Sequence, residues 1–195
     1  MQQTELHTRS TYDSGVDKQI LVVERDITRE SVDAIVNAAN STLYGGGGVD
    51  GAIHAAGGPA ILEACKVLRD SIPYMRGLRT GDAVETTAGG LKAHFVIHTV
   101  GPKHWEYPDG GVGLLRACHM NALAVADRLG CTSLAFPAIS CGIYGWKVRD
   151  AAPIAINAIQ SYWETHPDSV VETVRFVLFD GESLNAFQSA IESSK

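Results

Sequence analysis

Residues 35–58 read IVNAANSTLYGGGGVDGAIHAAGG, a passage that runs from a β-branched strand through an Asn-rich turn and four consecutive glycines into a helix. Four glycines in a row lose much conformational freedom on folding, so the backbone there needs φ > 0 or a close approach to something. A phosphate or ribose lying against bare N–H groups is one such need; a flexible turn is the other reading. Asp50 and His54 stand one helical turn apart just beyond the glycines, which places both side chains on one helix face. Asp50 can serve there simply as a carboxylate complementing the helix N-terminus. Gly46, Gly48 and Gly51 match the spacing GxGxxG, but Ala38 to Gly45 intervene between it and the strand end. No acidic residue closes a next strand about 20 positions on, so the signal for a dinucleotide fold is weak.

Outward from this passage, short β-branched runs alternate with longer segments of helical period, the pattern of an α/β layered domain. Six strands are predicted, at Gln19 to Glu24, Ala34 to Asn37, Ala83 to Thr87, His94 to Thr99, Ser133 to Phe136 and Thr173 to Phe179. Leu115, Cys118, Ala122, Val125 and Leu129 recur at spacings of three and four, as do Ala152, Ile156, Ile159 and Trp163. Each set makes one apolar helix face that packs on a sheet. Ile61, Ala64, Cys65 and Leu68 repeat the pattern after Pro59, a residue suited to a first helical turn because its missing N–H is not needed there. A last short helix is expected over Ser183 to Ile191, and YPDGGVG at 107–113 is a loop.

A second loop, PAISCGIYGW at 137–146, also follows a strand and precedes a helix. Ser140, Gly142 and Gly145 can form an N–H cradle for an anion, with Ile143 and Tyr144 as an apolar wall. Two cradles beyond the carboxyl ends of two strands suit a diphosphate held between them. The same loop loosely mimics GxSxG at Ala138 to Gly142, without the first glycine. A nucleophile reading, with Ser140 or Cys141 attacking and a distant His as base, stays open at this point.

The chain has 195 residues, 45% of them hydrophobic, enough for one compact domain with a real core. A formal charge of −6 disfavours general nucleic-acid binding, which relies on clustered Lys and Arg. An anionic ligand must then be held by backbone N–H groups. The apolar runs are far shorter than the ~20 residues that cross a bilayer, and the polar N-terminus lacks the apolar region of a secretory signal. A cytoplasmic protein is expected, with residues 1–18 as a loosely ordered polar leader and residues 19–195 as one domain. Cys65, Cys118, Cys131 and Cys141 form no CxxC pair and no zinc-finger spacing with His, so neither a metal nor a cofactor is expected.

Together, Asp26-Ile27-Thr28, IVNAANS at 35–41, GGGGVDGAIH at 45–54 and PAISCGIYGW at 137–146 resemble a macrodomain. Within that superfamily the chain is most similar to MacroD-type, O-acetyl-ADP-ribose deacetylase-like hydrolases, over about Ile20 to Phe187. The resemblance implies a three-layer α/β/α sandwich with a mixed central sheet and a cleft for ADP-ribose on its crest. It implies that Asp26 and the backbone of Ile27 read the adenine, with Phe179 lining or stacking on the ring. Gly47, Gly48 and Val49, with Ser140, Cys141, Gly142, Ile143 and Tyr144, would enclose the diphosphate and distal ribose. Asn40 and Asp50 match the catalytic pair facing that ribose, and Asn37 supports the loop.

The chain departs from the family pattern at three places: Arg25 stands where Gly is usual, Ala55 where Arg is common, and Trp146-Lys147 where an aromatic-Pro pair is frequent. The Cys/His signature of zinc-dependent macrodomains is absent from the segment leading to Asp50, so the implied mechanism is metal-independent. The implied partners are ADP-ribose and ADP-ribosylated proteins, without membrane or nucleic acid. The implied activity is removal of mono-ADP-ribose from acidic side chains, or deacetylation of O-acetyl-ADP-ribose. A non-catalytic ADP-ribose reader is the alternative.

Overall fold

β-branched runs become strands and amphipathic segments become helices in the computed structural model, which describes residues 6–8 and 18–194. The strands are β1 (Leu6–Thr8), β2 (Gln19–Glu24), β3 (Ala34–Ala38), β4 (Ala83–Thr87), β5 (Phe95–Thr99), β6 (Ser133–Phe136) and β7 (Thr173–Leu178). The helices are α1 (Gly48–Gly57), α2 (Pro59–Asp70), α3 (Val112–Leu129), α4 (Val148–Thr165) and α5 (Gly181–Ser193). They form one sheet of order β1-β2-β7-β6-β3-β5-β4. The inner pairs are parallel, while β1 and β4 lie antiparallel at the two edges. All six expected strands are present within a residue of their expected ends. The seventh, Leu6–Thr8, comes from the stretch read as a leader and pairs with β2. Three residues are too few to show strand alternation. The remainder of that leader lies outside the described residues.

Alternation along the strands divides the core in two. Ala34 and Val36 face one side of β3, where Cys118 and Leu123 of α3, Ile156 and Trp163 of α4 and Phe187 of α5 pack. Ile35 faces the other side, against Ile53 of α1 and Ile61 and Cys65 of α2. Helices on both faces of a mixed sheet make the expected three-layer arrangement. No helix among the described residues is long and apolar enough to cross a membrane.

Because the five inner strands run parallel, their carboxyl ends share one edge, and the loops after β3, β5 and β6 meet there. At the opposite end the register is held by Asp33. Its Oδ2 accepts from Thr132 N (2.8 Å) and Oγ1 (2.9 Å) and from Ser133 N and Oγ (both 2.9 Å). Burial raises the Asp33 carboxyl, but these hydrogen bonds outweigh it and hold the group below the ordinary range. We expect Asp33→Ala to lower unfolding free energy by about 2 kcal/mol, the scale of charge-assisted bonds lost together. An unchanged urea midpoint would contradict this clamp.

Candidate functional site

β3 ends at Ala38, and the chain turns at once. Asn40 Oδ1 accepts from the backbone N of Thr42 (2.9 Å) and from its hydroxyl, an Asx turn. Asn40 Nδ2 donates to the carbonyl of Gly45 at 2.8 Å, so this side chain folds the glycine loop back on itself. Gly45 and Gly48 then take left-handed φ of 82° and 62°, a conformation that favours glycine. Gly48 opens α1, and a Cβ at Gly47 or Gly48 would meet nothing within 4 Å. The space above the loop is therefore open.

The facing loop leaves β6 at Phe136. Ser140 is buried at a left-handed φ of 66°, an uncommon position for a residue with a side chain. This bend sends the following residues back across the cleft. Gly145 N donates to Gly142 O at 3.0 Å and Trp146 N to Ser140 O at 3.2 Å, which closes the loop. Ile143 at its tip is 87% exposed. Among the described residues no acceptor takes the N–H groups of Gly142, Ile143 and Tyr144. Gly48 and Val49, in the first turn of α1, likewise donate to nothing.

Between the two loops lies a cleft of about 300 Å³ lined by Asn40, Gly46, Gly47, Gly48, Val49, Asp50, Ser140, Gly142, Ile143 and Tyr144. Ala38, Ala39, Gly101 and Ala138 complete its walls; nothing in the sequence marked these small residues out. No lysine or arginine lines it. Larger depressions exist elsewhere, one of them between α4 and α5, but that one does not bring free N–H groups and a buried carboxylate together.

Asp50 is the chemical centre of the cleft. Its residue is 4% exposed. Oδ1 accepts from Asn37 Nδ2 at 2.7 Å, and Oδ2 lies 3.5 Å from Asn40 Nδ2. His54 Nε2 sits 3.4 Å from Oδ1. Burial pushes the Asp50 carboxyl above its ordinary range, against the pull of the Asn37 hydrogen bond and the His54 ring. Such a carboxylate is a better base than an exposed one.

Not every expected site residue lines the cleft. Asn37 lies beneath it, fully buried. Cys141 turns away: its thiol reaches Ile139 O at 3.6 Å, and it lines a separate depression with Trp146 and Asp180. Burial pushes that thiol up to about 12, so it is protonated at neutral pH. The GxSxG-like reading fares no better, because no base is hydrogen-bonded to the buried Ser140 Oγ.

Asp26 and Ile27 follow β2, and Phe179 follows the adjacent β7; Arg25 N donates to Leu178 O at 3.0 Å, so the two ends are neighbours. Asp26 Oδ1 accepts from Thr28 N and Oγ1 at 2.9 and 2.7 Å, while Ile27 is buried and Phe179 is 89% exposed. These three flank the cleft on the same edge of the sheet without lining it.

Behind Asp50 runs a buried polar row that sequence reasoning missed. Asn37 Nδ2 lies 3.1 Å from His98 Nδ1, His98 Nε2 lies 2.8 Å from Thr86 Oγ1, and Cys65 Sγ lies 3.7 Å from His98 Nε2. His54, Cys65 and His98 offer metal-ligand atoms within 4.8 Å of one another. His98 Nδ1 accepts the Asn37 N–H, however, so Nε2 carries the proton that Thr86 receives and has no lone pair for an ion.

The loop after β5 presses against the β6 loop at Gly101. A Cβ there would lie 2.1 Å from Ser140 Oγ and 2.7 Å from Ile139 Cγ2. Gly101→Ala should therefore cost about 1–3 kcal/mol of stability. Equal denaturation curves for variant and parent would contradict the close approach.

Comparison with known proteins follows the same lines. The Macro domain family model matches residues 36–155. A Macro domain-containing protein of Streptomyces coelicolor is 53% identical over 172 residues, covering 88% of this chain and 98% of its own. O-acetyl-ADP-ribose deacetylase 1 of Pantoea vagans is 44% identical over 170 residues, covering 87% of this chain and 96% of its own. Among solved structures, a macrodomain variant of Oceanobacillus iheyensis with ADPR superposes with a TM-score of 0.89 at 36% identity, covering 98% of each chain. With its α/β/α fold and glycine-walled cleft, this chain belongs to the Macro domain family.

Proposed function

We propose that this protein binds ADP-ribose in the cleft between the α1 and β6 loops and hydrolyses an ester at the distal ribose. The acyl group is an acidic side chain of a modified protein, or acetate in O-acetyl-ADP-ribose. The observation that carries this reading is the buried carboxylate of Asp50, set beside free N–H groups at the open end of a helix.

Gly48 and Val49 from one side and Gly142, Ile143 and Tyr144 from the other offer N–H donors to a diphosphate, and the dipole of α1 adds to their attraction. Bare backbone serves this purpose where no lysine or arginine lines the cleft. Exposed Ile143 covers the bound anion and excludes water from it. Asp26, Ile27 and Phe179 lie where an adenine extending along the same edge would reach them.

Asp50 does the chemistry through water. Its ionised carboxylate takes a proton as the water oxygen attacks the acyl carbon. The tetrahedral intermediate then collapses with loss of the ribose oxygen, which recovers that proton from the Asp50 carboxyl. The products are a free carboxylic acid and ADP-ribose with its hydroxyl restored. Asn40 has its carbonyl oxygen accepting from Thr42 and one N–H on Gly45 O, so its second N–H, on the nitrogen 3.5 Å from Asp50 Oδ2, is the group it can turn to the ribose. It holds the loop that holds the substrate. The relative named as a deacetylase supports the ester chemistry, and the neighbour solved with ADPR supports the ligand.

Asp50→Ala should lose at least about 100-fold in turnover of a glutamate-linked ADP-ribosylated protein while its ADP-ribose affinity changes only a few-fold. Full turnover in the variant contradicts the role of Asp50. No release by the parent protein despite tight ADP-ribose binding makes the chain a reader. Because burial raises the Asp50 carboxyl and the base is its ionised form, activity should fall on the acid side at a pH above the ordinary aspartate value of about 4. A rate flat down to that value overturns this assignment.

A further inference from the structure

We infer that His98 is a positioning residue for Asp50: through the shared amide of Asn37, its ring nitrogen fixes the direction in which the catalytic carboxylate points. The inference rests on the role proposed for Asp50 and deepens it.

The Asn37 amide is held in an orientation that leaves one of its own atoms unpaired. Asn37 is fully buried, and its Oδ1 has no hydrogen-bond partner. Rotating the amide would turn that oxygen elsewhere, and an unpaired buried acceptor is costly. Nδ2 nevertheless stays between Asp50 Oδ1 at 2.7 Å and His98 Nδ1 at 3.1 Å. Both neighbours demand a donor. One is a carboxylate oxygen, and the other is the unprotonated nitrogen of a neutral imidazole. Two acceptors engage the two hydrogens of one NH₂ group, which fixes the plane of the amide more tightly than the Asp50 bond alone.

His98 must then keep a single tautomer. The far side of the row is compatible with it: Thr86 Oγ1 lies 2.8 Å from Nε2, can accept a hydrogen bond from its N–H, and donates onward to Thr87 O at 3.1 Å. Parallel pairing of β3 with β5 sets Asn37 directly beside His98. Antiparallel pairing of β5 with β4 sets Thr86 two residues along the neighbouring strand. The sheet thus sets which side chains meet from Thr86 to Asn37, and the N–H that Asn37 gives to Nδ1 sets the direction of the bonds along the row. Burial pushes the His98 ring down to about 3, so the ring stays uncharged throughout the neutral range and one of its nitrogens is always free to accept. The titratable groups bearing on the pair are His54 from α1, which acts on both Asp50 and His98, and Cys65 from α2, whose thiol burial and the Asp50 charge push up to about 11. Asn40 faces Asp50 from the loop after β3.

Two substitutions separate this role from simple packing. His98→Leu removes the acceptor, whereas His98→Asn places an amide oxygen close to the position of Nδ1 and keeps it. In His98→Leu the Asn37 amide loses one anchor and its grip on Asp50 weakens. The charged form of Asp50 is then less favoured, so its ¹³C carboxyl titration should move to higher pH. Ester hydrolysis should fall about tenfold in kcat with KM within twofold, and the acid limb of the rate profile should follow the titration upward. His98→Asn should restore the titration and most of kcat. If both variants misfold, the ¹⁵N signals of the His98 ring in the parent protein decide. They should report a neutral ring protonated at Nε2 throughout pH 5 to 9. A proton on Nδ1, or titration within that range, overturns the inference, as does an Asp50 titration identical in parent and His98→Leu. A parent protein that never hydrolyses ester, yet shows the expected Asp50 titrations, sinks the proposed function and leaves the positioning role standing.

Discussion

The hydrogen bond from Asn37 to Asp50 ties the core of the sheet to the floor of the cleft. Asn37 sits on β3, among strands paired on both sides, and cannot move without breaking the sheet. Asp50 sits on the first turn of α1, whose position depends on the glycine loop before it. A charge-assisted bond of 2.7 Å between the two fixes where the helix begins relative to the strand. The free N–H groups of that helix start then point into the same space as the carboxylate.

Local strain elsewhere serves the same geometry. Ser140 takes a left-handed conformation although it has a side chain, and its hydroxyl is buried without a partner. Both features cost free energy, of the order of 1–3 kcal/mol for the backbone alone. What they achieve is the sharp bend that aims successive N–H groups of Gly142 to Tyr144 across the cleft. Gly101 accommodates the bend because any side chain there would strike Ser140. The cleft is therefore made largely of main chain, consistent with the chain's acidic balance and the lack of basic side chains at the site.

Much of this was legible in the linear sequence, for identifiable reasons. The layered fold follows from alternating periods of two and about 3.6, and the glycine run beside Asp50 is contiguous, so a local reading found it. The Asn-rich turn also revealed itself, since Asn40 and Thr42 hydrogen-bond within two residues of each other. The polar row behind Asp50 did not. Asn37, Cys65, Thr86 and His98 belong to four different elements, and only the register of β3, β5 and β4 with the packing of α2 brings them into contact. Read alone, Cys65, Thr86 and His98 are ordinary core residues, and Asn37 stood out only as support for its loop. Cys141 shows the converse: adjacent to Ser140 and Gly142 in sequence, it is turned out of the cleft by the bend at Ser140, which no residue pattern announces.

In the proposed function, main-chain donors from two loops share one ligand beside Asp50. Backbone amide spectra recorded during a titration with ADP-ribose test this most directly. The largest shifts should fall on Gly48, Val49, Gly142, Ile143 and Tyr144, moving together with a single affinity. Shifts confined to one loop, or centred on the depression between α4 and α5, would contradict it.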